Sequence, residues 1–251
     1  MSAHGRAHAR WPWVVLVVVV VVIALAVAAE LLARSILPPA VRAAVIEKLD
    51  LPADQQLDVA TEGILLPQLL GGRLDELHLS SESVTIGGVT GAAEVEATGI
   101  SLSGRTFSEV HGTVRIDPDQ FTDWVTASAL PVDDVAFDAP HVTASGRIPV
   151  LGATIPVALT VTPDADAGDL LLTPVELTIS GVTLNADEIV DRFGPAAAAL
   201  AQPQRICIAD RLPAGVVVTG VAVEGSHAVI DVSVDGAIAE DEALRREGTC
   251  G

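Results

Sequence analysis

The serines, histidines and aspartates that could do chemistry in this chain form no complete catalytic or metal-binding pattern. Residues 99–103, GISLS, resemble the turn that carries a nucleophilic serine, but the second glycine is missing and the segment reads as a strand. The histidines beyond the N-terminal region never approach zinc-motif spacing and are expected to be solvated strand residues: His78, His111, His141 and His227. We therefore expect no catalytic residue, no metal and no cofactor.

An acidic segment and two arginines could bind ions or phosphate. Asp164, Asp166 and Asp169 resemble part of a calcium loop, but its 12-residue pattern and terminal glutamate are missing, and the same residues suit a hairpin turn. Arg73 and Arg115 could each hold a lipid phosphate through paired hydrogen bonds. A surface ion pair with a nearby acid is the alternative for both.

Cys207 and Cys250 are the only cysteines. In an oxidising compartment they are expected to form a disulfide that holds the C-terminal tail on the domain. The alternative is a catalytic thiol, but Cys207 has no histidine close by in sequence and Cys250 is the penultimate residue.

The N-terminal region predicts export and anchoring. Residues 13–29 carry no charge, and the apolar character resumes after Glu30, so residues 13–33 are long enough to cross a bilayer. Arg6 and Arg10 precede this segment, which predicts a cytoplasmic tail at residues 1–12 and a single pass of the cytoplasmic membrane. The alternative is a signal peptide cleaved near residues 26–28, AVA; in both cases residues 38–251 would be extracytoplasmic, in the periplasm or outside the cell.

Charge and composition exclude several functions. Beyond residue 35 lie 11 of the 14 basic and 32 of the 33 acidic residues, a formal charge of about −21. Such a surface repels nucleic acid and the faces of anionic bilayers. With no tyrosine, four phenylalanines and three tryptophans, the chain has few aromatic platforms for sugars. The abundant Val, Ile, Leu and Ala suit a packed core or a cavity for acyl chains.

Most of the exported part alternates apolar and polar residues, which is typical of antiparallel strands with one buried face. The predicted strands are residues 57–61, 74–79, 83–86, 93–97, 110–116, 142–148, 155–162, 170–179, 216–224 and 227–234. Residues 149–153 and 163–169 are predicted to connect hairpins, and Gly225-Ser226 predicts a type I′ or II′ turn.

Helices are predicted at residues 41–50, after Pro38-Pro39 ends the anchor helix, and at residues 121–130. A third covers about residues 186–201, with Asn185 as its N-cap and Glu188 completing a capping box. The fold class is therefore α+β: an N-terminal transmembrane helix, then a curved antiparallel sheet packed on one or two helices.

Residues 64–77, ILLPQLLGGRLDEL, resemble the actinobacterial phospholipid-binding family of the LmeA type, named for a factor in lipomannan elongation. The N-terminal anchor, the strand at 110–116 and residues 212–216, LPAGV, before a hairpin extend the resemblance over about residues 38–238. The resemblance implies a periplasmic domain of the tubular lipid-binding type, which binds phospholipid, including phosphatidylinositol-type lipid, and supports envelope glycolipid maturation. It brings no catalytic residue, and the acidity and scarce aromatics of this chain leave the headgroup open.

A tube lined by aliphatic side chains is compatible with the strand pattern. The candidate lipid-binding residues on apolar strand faces and helices are Val114, Ile116, Leu159, Val161, Leu177, Ile179, Ile189 and Phe193. Ordinary core is the alternative for each.

Three hypotheses follow. The first is a non-enzymatic protein that binds phospholipid acyl chains beside the membrane that supplies them. The second is a scaffold that docks an envelope glycosyltransferase through a sheet edge or its acidic surface, with a filled core. The third is a hydrolase of envelope glycans, which would need a convergent, buried pair of carboxylates.

Overall fold

A computed structural model of the chain describes residues 11–48, 51–86, 89–104, 106–120, 132–150, 153–194 and 201–250. One long apolar helix is followed by two antiparallel sheets and a few short helices. The α+β class is confirmed. The strands form two sheets rather than the single curved one expected, and neither sheet closes within the described residues.

The helices are α1 (Trp11–Lys48), α2 (Leu65–Leu70), α3 (Ala186–Phe193) and α4 (Glu242–Arg245), with a 3₁₀ turn at Ala209–Arg211. The first sheet, sheet A, contains β1 (Asp58–Thr61), β2 (Arg73–Ile86), β3 (Val89–Ser101), β4 (Glu109–Ile116), β11 (Val216–Glu224) and β12 (His227–Val234). Its strand order is β1-β2-β3-β4-β12-β11.

The second sheet, sheet B, contains β5 (Asp134–Asp138), β6 (His141–Val150), β7 (Ala153–Asp166), β8 (Asp169–Ile179), β9 (Val182–Asn185) and β10 (Gln204–Ile206). Its order is β10-β8-β7-β6-β5, and β9 also pairs with β8. The short strands β5, β9 and β10 were not predicted from the sequence.

Two predicted connections belong to strands. The segments at 74–79 and 83–86 are both part of β2, which continues through a bulge between Ser81 and Val84. Residues 163–166, predicted as loop, extend β7, so only Ala167 and Gly168 turn the chain into β8. Both have positive φ, 55° and 90°, as a type I′ turn requires. The turn at Gly225 has φ 61° and joins β11 to β12, as predicted.

The prediction that Pro38-Pro39 ends one helix is wrong, because α1 continues through both prolines to Lys48. The prolines remove two backbone donors, but contacts with the domain hold this part of the helix in place. Ala33, Leu37 and Val41, spaced four residues apart along one side of the helix, pack against the core of sheet A. The segment predicted as a separate helix at 41–50 is the C-terminal part of α1.

Local signals elsewhere are confirmed. Asn185 Oδ1 accepts from the Glu188 backbone N–H at 2.9 Å, and Glu188 Oε2 accepts from the Asn185 N–H at 3.0 Å, so the capping box begins α3 as predicted. Cys207 and Cys250 form the predicted disulfide. The helix expected at 121–130 and the end of the one expected at 186–201 lie outside the described residues.

The apolar side chains form two clusters. The first lies under sheet A, where α1 and α2 pack on its apolar face, with Leu65 fully buried at its centre. The second joins the sheets: Ile116 and Val223 of sheet A pack with Val135 and Phe137 of sheet B. Both clusters use β4, since Val110 belongs to the first and Ile116 to the second.

Glu30 joins the long helix to the domain. Its two carboxylate oxygens accept from the backbone N–H groups of Leu65 and Leu66, at 2.9 and 2.8 Å, at the start of α2. Arg34 donates to Glu30 at 2.8 Å and also to the carbonyl of Gly63. The first free N–H groups of α2 thus donate to a side chain of α1, and Glu30 lies 35 residues before Leu65 in the sequence.

We expect Glu30→Ala to loosen α2 from α1, because it removes both acceptors of the Leu65 and Leu66 amides. Hydrogen exchange measured on the full chain in nanodiscs should show several-fold faster exchange of these two amides. Glu47→Ala, an exposed glutamate on the same helix, is the control and should leave their exchange unchanged. Equal protection in both variants would contradict the joining role of Glu30.

Candidate functional site

Sheet B has a continuous apolar face. Leu159 on β7 lies opposite Leu177 on β8, and Val157 lies opposite Ile179 in the adjacent row. Leu177 also lies opposite Leu184 of β9. Because residues opposite each other in an antiparallel pair point to the same side, these side chains form one aliphatic surface.

The other face of sheet B is polar. Thr143 and Thr160 are joined by a hydroxyl hydrogen bond of 3.0 Å, Thr178 and Thr183 by one of 2.9 Å. Hydroxyl groups thus mark this face as the more polar one, and the opposite face suits an apolar ligand better.

The apolar face of sheet B is partly open. Its four large exposed side chains come from four strands, with exposed fractions of 42% for Ile148, 39% for Leu159, 52% for Val182 and 43% for Ile206. Pairing puts all four on the same side, since Val182 lies opposite Ile179 and Ile206 lies opposite Leu170. An exposed aliphatic surface of this kind is a candidate binding site for an apolar partner.

Sheet A continues this surface at one edge. Val114 and Ile116, both on the apolar face of β4, pack in the second cluster, which also contains Phe137 of β5 and Val142 of β6. Val142 lies opposite Val161 in sheet B. The apolar faces of the two sheets therefore meet at this cluster.

The structure brings together six of the eight predicted aliphatic and aromatic residues on the joined faces: Val114, Ile116, Leu159, Val161, Leu177 and Ile179. Their burial divides them. Ile116 and Val161 are buried, and Ile116 belongs to the cluster that joins the sheets, whereas Leu159 is exposed. Their role in lipid binding stays a prediction.

The two predicted residues of α3 differ from that group. Ile189 is only 2% exposed, and its helix lies against β8 and β9, so this side chain belongs to the core. The backbone of Phe193 ends α3, but its side chain lies outside the described residues.

The two candidate phosphate-binding arginines have different surroundings. Arg115 lies on the polar face of sheet A, away from the apolar faces, and contacts Glu94 at 3.2 Å. Arg115 thus forms the surface ion pair that was the alternative to phosphate binding. Arg73 is exposed at the start of β2, directly after α2, and its nearest acid is Asp75 at 3.9 Å.

The acidic residues that resembled a calcium loop are engaged by a cation of the chain itself. Arg205 on β10 pairs with Asp166 and reaches Asp169 at 3.6 Å. Asp164 accepts from the N–H of Ala165. These contacts favour the hairpin interpretation, and Arg205 was missed because it lies far from the aspartates in sequence.

A further cluster of polar groups is partly exposed. Glu62, Glu76 and His78 place one ligand atom each within 4.8 Å of one another, a geometry that could hold a cation and that sequence spacing did not reveal. Two depressions of about 310 and 330 Å³ are lined mainly by polar-face residues of sheet B and sheet A respectively. Neither lies over the open apolar face.

One protein-family model, described as LmeA-like phospholipid-binding, matches residues 28–233, more than half of the chain. The chain belongs to the LmeA-like phospholipid-binding family. The LmeA-like region begins two residues before Glu30 and ends in β12, so it includes α2 and all of sheet B. The resemblance expected for residues 38–238 is confirmed. No curated protein and no solved structure matches the chain significantly.

In the LmeA-like domain, we expect substitution of a buried core residue to reduce stability more than substitution of an exposed residue. Ile189→Ala should lower the free energy of unfolding by about 2–4 kcal/mol, because the side chain is buried and leaves a cavity. Leu159→Ala should cost less than about 1.5 kcal/mol, because that side chain is already exposed. Denaturant titration of the full chain in nanodiscs measures both. Equal losses would mean that Leu159 is ordinary core.

Proposed function

We propose that this protein is a membrane-anchored, non-enzymatic lipid-binding protein that holds phospholipid acyl chains on the apolar face of sheet B. The observation that carries the proposal is the set of four exposed aliphatic side chains on one face of that sheet. Membership of a phospholipid-binding family supports lipid as the ligand. Burying four such side chains under acyl chains would contribute on the order of a few kcal/mol to binding.

The N-terminal part of α1 supports membrane anchoring. The candidate span has a mean hydropathy of 3.2, and none of its most apolar stretch is buried inside the protein. The basic residues Arg6 and Arg10 before it favour a cytoplasmic N-terminus. The Cys207–Cys250 disulfide favours an oxidising compartment for the domain, which we infer to be the periplasm.

We further propose that lipid binding serves biosynthesis of an envelope glycolipid of the lipomannan type, the role that the family resemblance implies. The scaffold hypothesis, in which the protein docks a membrane glycosyltransferase, is supported by a different surface. The polar face of sheet A carries Glu76, Glu94, Glu96 and Glu109 and is wide enough to contact a protein.

The lipid site can be mapped with a phosphatidylcholine that carries a photoreactive diazirine on its acyl chain, supplied in vesicles that hold the full chain. After illumination, peptides from β6 to β9 should carry the lipid. The double variant Leu159→Gln/Val182→Gln should lower this labelling roughly tenfold, because it places two amides against the acyl chain.

Val217→Gln is the matched control, since Val217 is 45% exposed but lies outside sheet B, and its labelling should equal that of the unaltered chain. Labelling of α1 alone, with none in sheet B, would reject the proposed site. Recovery of a crosslinked glycosyltransferase with no lipid on sheet B would favour the scaffold hypothesis.

A further inference from the structure

A second apolar surface lies at the junction of α1 and α2. On α1, Leu31, Leu32 and Ile36 are 61–63% exposed; beside and within α2, Ile64 is 64% exposed and Leu70 is 82% exposed. We call these five side chains the junction patch. None of them belongs to sheet B, and Ile64 and Leu70 lie outside the anchor, so neither lipid binding on sheet B nor the anchor explains the exposure of these two side chains.

The hydrogen bonds of Glu30 place α2 beside a defined level of α1. Leu65 and Leu66 donate to Glu30, while Arg34, one turn further along the helix, donates to the carbonyl of Gly63. One helical turn rises about 5.4 Å, so the start of α2 is held level with residues 30–34. Gln68 fixes α2 from the other side by accepting from the Asp75 N–H at 3.0 Å.

At this level the outer side of α1 is still apolar. The side that faces the domain carries Glu30, Ala33 and Leu37, whereas Leu32 and Ile36 point outward. Ile36 lies six residues beyond Glu30, so the outward apolar surface extends about 9 Å past the carboxylate that binds α2. The polar residues in between are satisfied within the protein, since Ser35 Oγ donates to the Leu32 carbonyl and Arg34 to Glu30.

We propose that the junction patch is a second membrane contact, in which Ile64 and Leu70 enter the outer leaflet beside the anchor and α2 lies at the boundary between headgroups and acyl chains. Leu31 and Leu32 belong to the membrane-spanning part of α1, and the hydrogen bonds of Glu30 and Arg34 hold α2 at the same level, so the bilayer that surrounds these leucines would also reach Ile64 and Leu70. The inference rests on the anchor in the proposed function.

An exposed cation close to α2 in sequence supports a phospholipid surface as the occupant. Arg73 follows Leu70 by three residues, and its side chain is 73% exposed. In a protein whose exported part is otherwise strongly acidic, this guanidinium lies where a phosphate of the outer leaflet would meet it. Directly behind the patch, Leu65 of α2 is fully buried in the first cluster, so the apolar interior of the domain begins at the bilayer.

Depth-dependent quenching tests this contact in the full chain. Its two native cysteines are paired, so a maleimide fluorophore reports on a single introduced cysteine. The test positions are Ile64→Cys and Leu70→Cys; Leu25→Cys reports on the anchor, and Ser226→Cys on the turn at the far end of β12. The chains are reconstituted in vesicles of phosphatidylcholine and phosphatidylglycerol that contain nitroxide-labelled phospholipid, with iodide as the aqueous quencher.

We expect shallow nitroxide lipid to quench the labels at 64 and 70 at least threefold more than the label at 226, with little quenching by iodide. If the label at 25 is quenched by lipid but those at 64 and 70 behave like the label at 226, the anchor stands and the second contact is rejected. If neither quencher reaches 64 and 70, another protein surface covers the patch, which also rejects it. If lipid fails to quench the label at 25, the anchor is rejected and this contact with it.

Discussion

The contact between the Glu30 carboxylate and the first two N–H groups of α2 determines how the rest of the molecule is arranged. A short helix has as many unsatisfied backbone donors as a long one, and α2 is only six residues long. By accepting from Leu65 and Leu66, Glu30 both stabilises α2 and joins it to α1. Leu65 then becomes the centre of the first apolar cluster, on which sheet A packs.

Both sheets have alternating apolar and polar side chains, but their apolar faces differ in how far they are covered. In sheet A the apolar face is covered by α1 and α2 in the first cluster and by β5 and β6 in the second, so its side chains form a conventional core. In sheet B part of the same kind of face stays open, with Leu159 and Val182 exposed. The strand β4 connects the two apolar clusters: it runs about 20 Å from Val110 in the first cluster to Ile116 in the second. One protein thus combines a filled interior with an open aliphatic surface.

Features that depend on neighbouring residues could be predicted from the sequence, and those that depend on distant partners could not. The capping box at Asn185 and Glu188 and the turn at Gly225 are local, and both are as expected. The division into two sheets depends on β4 pairing with β12, more than 100 residues later, which no periodicity encodes. Helix α2 was missed because a run of leucines around one proline has no clear period.

The side to which a strand residue points was predictable, but its exposure was not. Leu159 and Val161 lie on the same face of β7, yet Leu159 is exposed and Val161 is buried, because neighbouring elements such as β11 cover only part of this strand. Ile189 was a candidate lipid-lining residue with ordinary core as the alternative, and its burial against β8 and β9 gives the core role. The role of Glu30 was hidden too: its sequence context showed only a carboxylate at the end of an apolar segment.

The continuity of α1 through Pro38 and Pro39 has a mechanical consequence. A flexible tether would let the domain tumble, but an unbroken helix of about 57 Å transmits its own tilt and rotation to both sheets. In the proposed orientation, the surplus of carboxylates is pushed away from anionic headgroups while the helix holds the base of the domain in place. The domain would then keep a fixed orientation relative to the membrane and would encounter lipids by lateral diffusion in the membrane plane.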